Sequence, residues 1–574
     1  MDKNISERIK TNREERKMAI SDIGVMLGKV VFKSFEKVSL NPYEEQKKLL
    51  MSILEKNKNT EYGKKIGFDK IHSIEDFQKS VPLTTYDDYS DYVERMINKG
   101  EENLMMSAKV RRYCSSSGSV GKPKILPKSG RDLLYMQSVG FVSTPACASI
   151  WFNKKGIKFP KQVGTVAIVL TGHKMADGRM CNGAGQVPFT YLKPVSKFFM
   201  TTPNDFLYPE NEDAVDSSYF HLRFALQNRD VTYIGSMVVN LLTIMFEYFE
   251  DNWEMVCDDI EKGTINPSVK CPEELRRKYE KKLKPNPRRA AEIRRECEKG
   301  FDSPIAPRVW PKFMWSYGMV SSTLKFYVKK LRRYIGDAPI HNMGYAAAEG
   351  YMGMPIELDV SDCALLPKSV FFEFIPVDEP EGDRLLTVDE VEEGKLYELV
   401  VTNCSGLYRY KIEDVVRITG FYNKCPRFEF LYRNNLALNI ANEKTTTDMV
   451  DWAAGKLQEK FSISFVGYSF YGDTDSPLAR YMLLAEPEGE ISEETLAEME
   501  NELDGFLNES NEKYFKYRRW QMLDSPKILL LRKNTYADYR EMLKKQGKVL
   551  NQIKPVTVIN TDERKEFFFS HTEN

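Results

Sequence analysis

The segment Ser115-Ser116-Ser117-Gly118-Ser119-Val120-Gly121-Lys122-Pro123-Lys124 constrains this chain more than any other. It follows Lys109-Val110-Arg111-Arg112-Tyr113-Cys114 and packs hydroxyls, glycines and lysines into one short loop. Small residues let the backbone turn tightly, and glycine tolerates positive φ. Turned backbone N–H groups form a concavity that suits anionic oxygens. Ser116, Ser117 and Ser119 add donors around Gly118, and Lys124 adds charge. A nucleotide polyphosphate is the natural ligand for such a loop. The register does not fit GxxxxGK[ST], so it is not a Walker A loop. Composition alone favours a plain flexible Ser/Gly connection.

The rest of the chain narrows the choice. Its 574 residues allow two or more domains. Lys+Arg and Asp+Glu balance at 83 each, so no global basic field points to nucleic acid or to a membrane surface. The nine cysteines are scattered without a CxxC pair, which fits a reducing compartment better than a disulfide framework. The five histidines are dispersed, with no HExxH and no zinc spacing. Met1 to Arg8 is charged and lacks an apolar signal core. The longest uncharged apolar stretch, Val231 to Phe246, is shorter than the roughly 20 residues of a membrane span and reads as a buried helix. A cytoplasmic location is expected.

Helical and strand patterns alternate. Residues up to about Asn103 read as mostly helical, with Asn41-Pro42 and the following acidic residues marking one helix start. Arg131 to Val142, Tyr219 to Asn228 and Val238 to Asp251 read as helices. Val163 to Leu170 is a near-continuous apolar run, the pattern of a strand buried on both faces. Phe371 to Ile375 and Tyr397 to Val401 read as strands. Glu273 to Lys299 reads as a solvated helix–turn–helix excursion around Lys284-Pro285-Asn286-Pro287. After Arg433 come a helix over Thr445 to Phe461, a strand over Ile463 to Tyr471 and a helix over Ser492 to Leu507. The mixture predicts an α/β architecture with a smaller α+β domain at the C-terminal end.

Two further segments carry chemistry. Gly344-Tyr345-Ala346-Ala347-Ala348-Glu349-Gly350 is a small-residue loop ending in a carboxylate that can offer an oxygen to Mg²⁺. It also fits an ordinary tight turn with a surface glutamate. Gly406 to Val416, continuing to Arg433, places Asp414 after a short β segment, where a carboxylate can accept from two ribose hydroxyls. An arginine nearby can bridge sugar and phosphate. The same segment fits a sheet corner with surface ion pairs, with Tyr408 and Tyr410 as packing residues on one strand face.

Taken in order, the three segments resemble a known family. Ser116 to Lys124 is similar to the phosphate loop of the adenylate-forming superfamily, with Val120 where a threonine is usual. All three together resemble the Gretchen Hagen family of acyl acid–amido synthetases, the plant auxin-responsive enzymes and their bacterial relatives, and the chain reads as a bacterial-type member. Ser405 to Val450, with Asn439-Ile440-Ala441-Asn442-Glu443-Lys444-Thr445, looks like that family's most distinctive block. Val81 to Asp88, Asn252 to Glu254 and Asn551 to Pro555 are similar too.

The resemblance implies a large N-terminal adenylate-forming domain over residues 1–433 and a smaller mobile domain over 434–574. It implies that Ser116, Ser117, Gly118, Ser119 and Lys124 bind phosphates, that Tyr345 lies beside the adenine, and that Glu349 is the Mg²⁺ ligand. Asp414 would bind the ribose, Arg433 would sit near the hinge, Lys444 would touch the nucleotide, and Lys554 would reach in from the mobile domain for adenylation. Two departures stand out: Ala348 replaces the usual Ser or Thr, and Glu413 replaces a Gly. The implied reaction uses Mg²⁺ and ATP to make an acyl-adenylate, then joins it to an amine, such as that of an amino acid, in a monomeric enzyme. Val231 to Phe246 and Met314 to Met319 are candidates for the acyl pocket, although most of these residues read as core. Transfer of the same adenylate to CoA, and nucleotide binding without turnover, are the alternatives.

Overall fold

The computed structural model describes residues 23–573 apart from 116–123, 168–169, 171, 184–185, 191–192, 212–213, 321–324, 378–384, 434–437, 439, 441–442, 444, 520, 547–554 and 560. Four sheets organise them. A parallel sheet runs Gly164–Ala167, Tyr233–Val238, Trp315–Met319, Ile340–Asn342 in spatial order. A seven-stranded antiparallel sheet is built around Leu396–Thr402, Tyr410–Tyr422 and Cys425–Arg433. A third sheet pairs Val110–Ser115 with Ile125–Ser129 and Met180–Gly183. The fourth lies in the C-terminal part, around Phe465–Asp473 and Arg480–Pro487.

The parallel sheet is covered on both faces, as its near-continuous apolar pattern requires. Helices Ser217–Gln227 and Val239–Lys262 pack with Ile234 and Ile340 on one side. Ala148 and Phe152 of helix Ser143–Lys154 pack with Tyr233, Trp315 and Tyr317 on the other. The Tyr317 ring lies flat over Gly235 of the neighbouring strand, in the space a Cβ would fill. Glycine at 235 is therefore a packing requirement of that ring. The N-terminal helices, including Pro42–Asn57 and Asp87–Lys99, pack on the seven-stranded sheet in a core of their own. Arg409 fastens the two layers: its Nε donates to Glu373 at 3.1 Å and its Nη1 donates to the carbonyls of Gln78 and Val81 at 2.8 Å.

Three expectations change. Val231 to Phe246 is not one helix, because the strand Tyr233–Val238 occupies its first half and a helix starts at Val239. A strand buried on both faces and a buried helix share the same unbroken apolar pattern, so hydropathy could not separate them. The charged segment Glu273 to Lys299 does form two helices, Glu273–Glu280 and Pro287–Cys297, but the second is not a solvated excursion. Its Ala290, Ile293 and Cys297 enter the core, and buried Arg289 donates from Nε to the Leu226 carbonyl at 2.8 Å. Asp414 lies inside a thirteen-residue strand rather than after a short one. Among the described residues no helix is long and apolar enough to cross a membrane. All nine cysteines are unpaired.

Candidate active site

The strand Ile340–Asn342 ends at the rim of the parallel sheet, where Asn342 Oδ1 accepts from the backbone N–H of Val320 at 3.2 Å and of Gly344 at 3.3 Å. Gly344 has φ +89, and a Cβ there would meet the Gly353 carbonyl and the Tyr351 hydroxyl, so only glycine fits. The chain then enters a hairpin, Tyr345–Ala346 against Tyr351–Met354. Ala347 and Gly350 exchange backbone hydrogen bonds of 2.9 and 3.2 Å, which leaves Ala348 and Glu349 at the tip. The glutamate reading as an exposed turn residue fails on burial: Glu349 is only 7% exposed.

At the base of this hairpin, the Tyr345 ring stacks on Phe430 at 6.2 Å and meets the edge of Phe428 at 5.4 Å. Its hydroxyl donates to Asp414 Oδ2 at 2.6 Å. Asp414 is 3% exposed and pairs across the ladder with the backbone of Arg433. The strand irregularity beside it is local. Between the pairs Glu398–Val415 and Val400–Lys411 the register shifts, and Glu413 takes φ +67, a conformation suited to glycine. The kink turns the backbone just before Asp414.

The phosphate-loop segment 116–123 lies outside the described residues, and with it Ser116, Ser117, Gly118 and Ser119. Its two ends are described. Ser115 pairs with Ile125, so the loop leaves and re-enters at one end of the same strand pair. Lys124 Nζ donates to the Tyr410 hydroxyl at 3.4 Å, which brings that sheet end beside the start of the Asp414 strand. Lys444 and Lys554 also lie outside the described residues, as do Asn434 and Asn435 of the expected hinge. The structure thus gathers Lys124, Tyr345, Glu349 and Asp414 on three adjoining elements. It also brings in residues that no spacing signalled: Lys128 and Asn403, whose side chains bond the Glu349 carbonyl, and Asn342 and Phe430.

The donor set fits Mg·ATP. No group of three or more His, Cys, Asp or Glu side chains that could hold a metal occurs among the described residues. A single buried hairpin carboxylate suits Mg²⁺, which is held by one or two carboxylates together with substrate phosphates. Aromatic surface and a carboxylate side by side, Tyr345 and Asp414, suit a base and its sugar. Burial pushes the thiol of Cys114, next to the loop, up to about 12.

Comparison with known proteins decides the family. The model of the GH3 family N-terminal domain matches residues 31–340, that of the central domain 363–433, and that of the C-terminal domain 447–563. This chain belongs to the GH3 family. Among GH3 relatives, it is 28% identical to the jasmonoyl–L-amino acid synthetase GH3.5 of Oryza sativa subsp. japonica, over 92% of this chain and 94% of the relative. It is 29% identical to the putative indole-3-acetic acid-amido synthetase GH3.9 of Arabidopsis thaliana, over 91% and 93%. It is 26% identical to the 4-substituted benzoates–glutamate ligase GH3.12 of the same plant, over 91% and 94%. The solved GH3.15 acyl acid amido synthetase in complex with 2,4-DB superposes with a TM-score of 0.82 at 24% identity, covering 95% of this chain and 96% of that one. The GH3 fold, with a large N-terminal part and a smaller C-terminal part, is therefore shared along nearly the whole chain.

Proposed function

We propose that this GH3 protein is an ATP-dependent acyl acid–amido synthetase. A carboxylate oxygen attacks the α-phosphorus of ATP, the bond to the β-phosphate bridge breaks, and pyrophosphate leaves. An amine nitrogen, that of an amino acid, then attacks the acyl carbon; AMP departs and the nitrogen loses a proton. Bound Mg²⁺ supplies charge neutralisation on the phosphates. The protein's part is positioning and electrostatic stabilisation. The observation that carries this reading is the Tyr345–Asp414 hydrogen bond beside the Glu349 hairpin, in a chain of the GH3 family.

In this reading Ser116, Ser117, Gly118, Ser119 and Lys124 hold phosphates, Tyr345 flanks the adenine and Asp414 takes the ribose hydroxyls. Glu349 holds Mg²⁺, and Lys444 touches the nucleotide. Lys554 enters from the C-terminal domain, residues 434–574, and neutralises charge in the first step. That domain then turns about a hinge just past Arg433 to admit the amine. At 29% identity or less to the plant relatives, the acid need not be a plant hormone. Nine unpaired cysteines support a reducing, cytoplasmic setting.

Carboxylate-dependent ATP–pyrophosphate exchange over aryl, indolyl and aliphatic acids tests the proposal. Exchange with some acids that is lost in Lys554→Ala supports it. Exchange that survives in Lys554→Ala removes the role given to that lysine. Mg·ATP binding without exchange by any acid would overturn the catalytic reading.

A further inference from the structure

The tip of the Glu349 hairpin is buried, and its backbone therefore needs donors that water would otherwise provide. Ala348 is 3% exposed, and neither tip residue has positive φ. The Glu349 carbonyl receives two side-chain donors from separate segments. Asn403 Nδ2 donates at 2.9 Å from the turn after strand Leu396–Thr402, and Lys128 Nζ donates at 3.1 Å from strand Ile125–Ser129.

Lys128 is the unexpected member, being 0% exposed. A neutral donor would satisfy a carbonyl, and burying an ammonium is unfavourable unless charge or hydrogen bonds compensate. The described compensation is the hydrogen bond of 3.1 Å to the Glu349 carbonyl. The two donors are also tied to each other. Ser129, next to Lys128, caps helix Gly130–Gln137 and donates from Oγ to Asp132 Oδ2 at 2.5 Å. The same oxygen accepts from Ser405 Oγ, and the Ser405 N–H donates to Asn403 Oδ1 at 2.9 Å. A closed circuit thus runs through Lys128, Ser129, Asp132, Ser405 and Asn403 to the Glu349 carbonyl.

We propose that Lys128 is a positioning residue of the nucleotide site, whose buried ammonium fixes the Glu349 peptide and thereby aims the Glu349 carboxylate at Mg²⁺. The inference rests on the reading of Glu349 as the magnesium ligand. It carries a definite sign. Removing a positive charge near a carboxylate would by itself tighten a divalent cation. Weaker Mg²⁺ binding on loss of Lys128 would therefore report lost positioning and not lost charge.

The test is calorimetric binding of α,β-methylene-ATP to the full chain with and without excess Mg²⁺, which requires no knowledge of the acid. The wild type is expected to bind more tightly with Mg²⁺, and Glu349→Gln to lose most of that gain. Lys128→Met is expected to lose about tenfold in affinity with Mg²⁺, as outer-shell partners of metal ligands do, while its Mg²⁺-free affinity stays within about twofold. Lys128→Gln, which keeps a donor, should lose less than Lys128→Met. An unchanged or tighter Mg²⁺-dependent affinity in Lys128→Met overturns the proposal. So does an equal loss with and without Mg²⁺, which marks a merely structural role. If Lys128→Met does not fold, an unchanged Mg²⁺ gain in Lys128→Gln overturns it. If Glu349→Gln keeps the full gain, the reading of Glu349 itself fails, whatever the lysine variants do, and the inference falls with it.

Discussion

Tyr345 and Asp414 are 69 residues apart in sequence and joined by a 2.6 Å hydrogen bond from phenol to carboxylate. The bond ties the hairpin that presents Glu349 to the long strand Tyr410–Tyr422. Adenine-side and ribose-side groups of the proposed site are thus one unit before any ligand binds. An arrangement held in advance lowers the ordering cost of binding.

Tyr345→Phe keeps the ring against Phe430 and removes only that bond. It leaves a buried carboxylate short of one donor. A loss of about 1–3 kcal/mol in stability is expected. ATP affinity should fall with it, because Asp414 is no longer held in place. Thermal melting and the KM for ATP in pyrophosphate exchange check both, and a KM equal to wild type would separate Tyr345 from the nucleotide site.

Glu413 sits at φ +67 immediately before Asp414. A non-glycine residue in that region carries about 1 kcal/mol of strain. Glu413→Gly should therefore be neutral or stabilising by up to about 1 kcal/mol, since glycine also has more freedom to lose on folding. A glycine in a strand interior ordinarily destabilises, so the sign of the change in melting temperature decides the matter.

His341 lies in the parallel sheet with its ring 6.3 Å from that of Trp315, and its Nδ1 has no hydrogen-bond partner. Burial pushes the imidazole down from 6.5 to about 3. The folded state keeps it neutral, while the unfolded chain takes up a proton below 6.5. Stability from this group is complete above that pH and is lost progressively as pH falls towards 3. Between pH 7 and pH 5 the loss is about 2 kcal/mol. His341→Phe should be less sensitive than the wild type over that interval, measured as the change in melting temperature of each protein from pH 7 to pH 5. Parallel curves would refute the assignment.

The readable parts of this molecule were those in which chemistry and local pattern coincide. Gly344 to Gly350 and Asp414 were found from residue type, and the fold places them side by side. Helix starts such as Pro42, and the doubly buried strand Gly164–Ala167, followed from capping and from unbroken hydrophobicity. The strand Tyr233–Val238 was hidden because it runs directly into a helix, with no proline or charged residue between them. Arg289 was hidden for the opposite reason: within a dense run of charge, nothing local marks the one guanidinium that the core will bury. Lys128 gave no sign either. A lysine in a short strand reads as solvent-facing, and only the arrival of the hairpin from more than 200 residues away makes it internal.

The pairing of Asp414 with Arg433 has a mechanical meaning. One rung of the ladder carries, on one strand, the carboxylate assigned to the sugar and, on the other, the last residue of Cys425–Arg433 before the C-terminal part begins. The two residues face each other across antiparallel main chains, so a displacement of one strand here is felt by the other. If the proposed function holds, the ribose-side carboxylate and the entry to the C-terminal domain share this one rung, so filling the site and setting that domain's angle would go together.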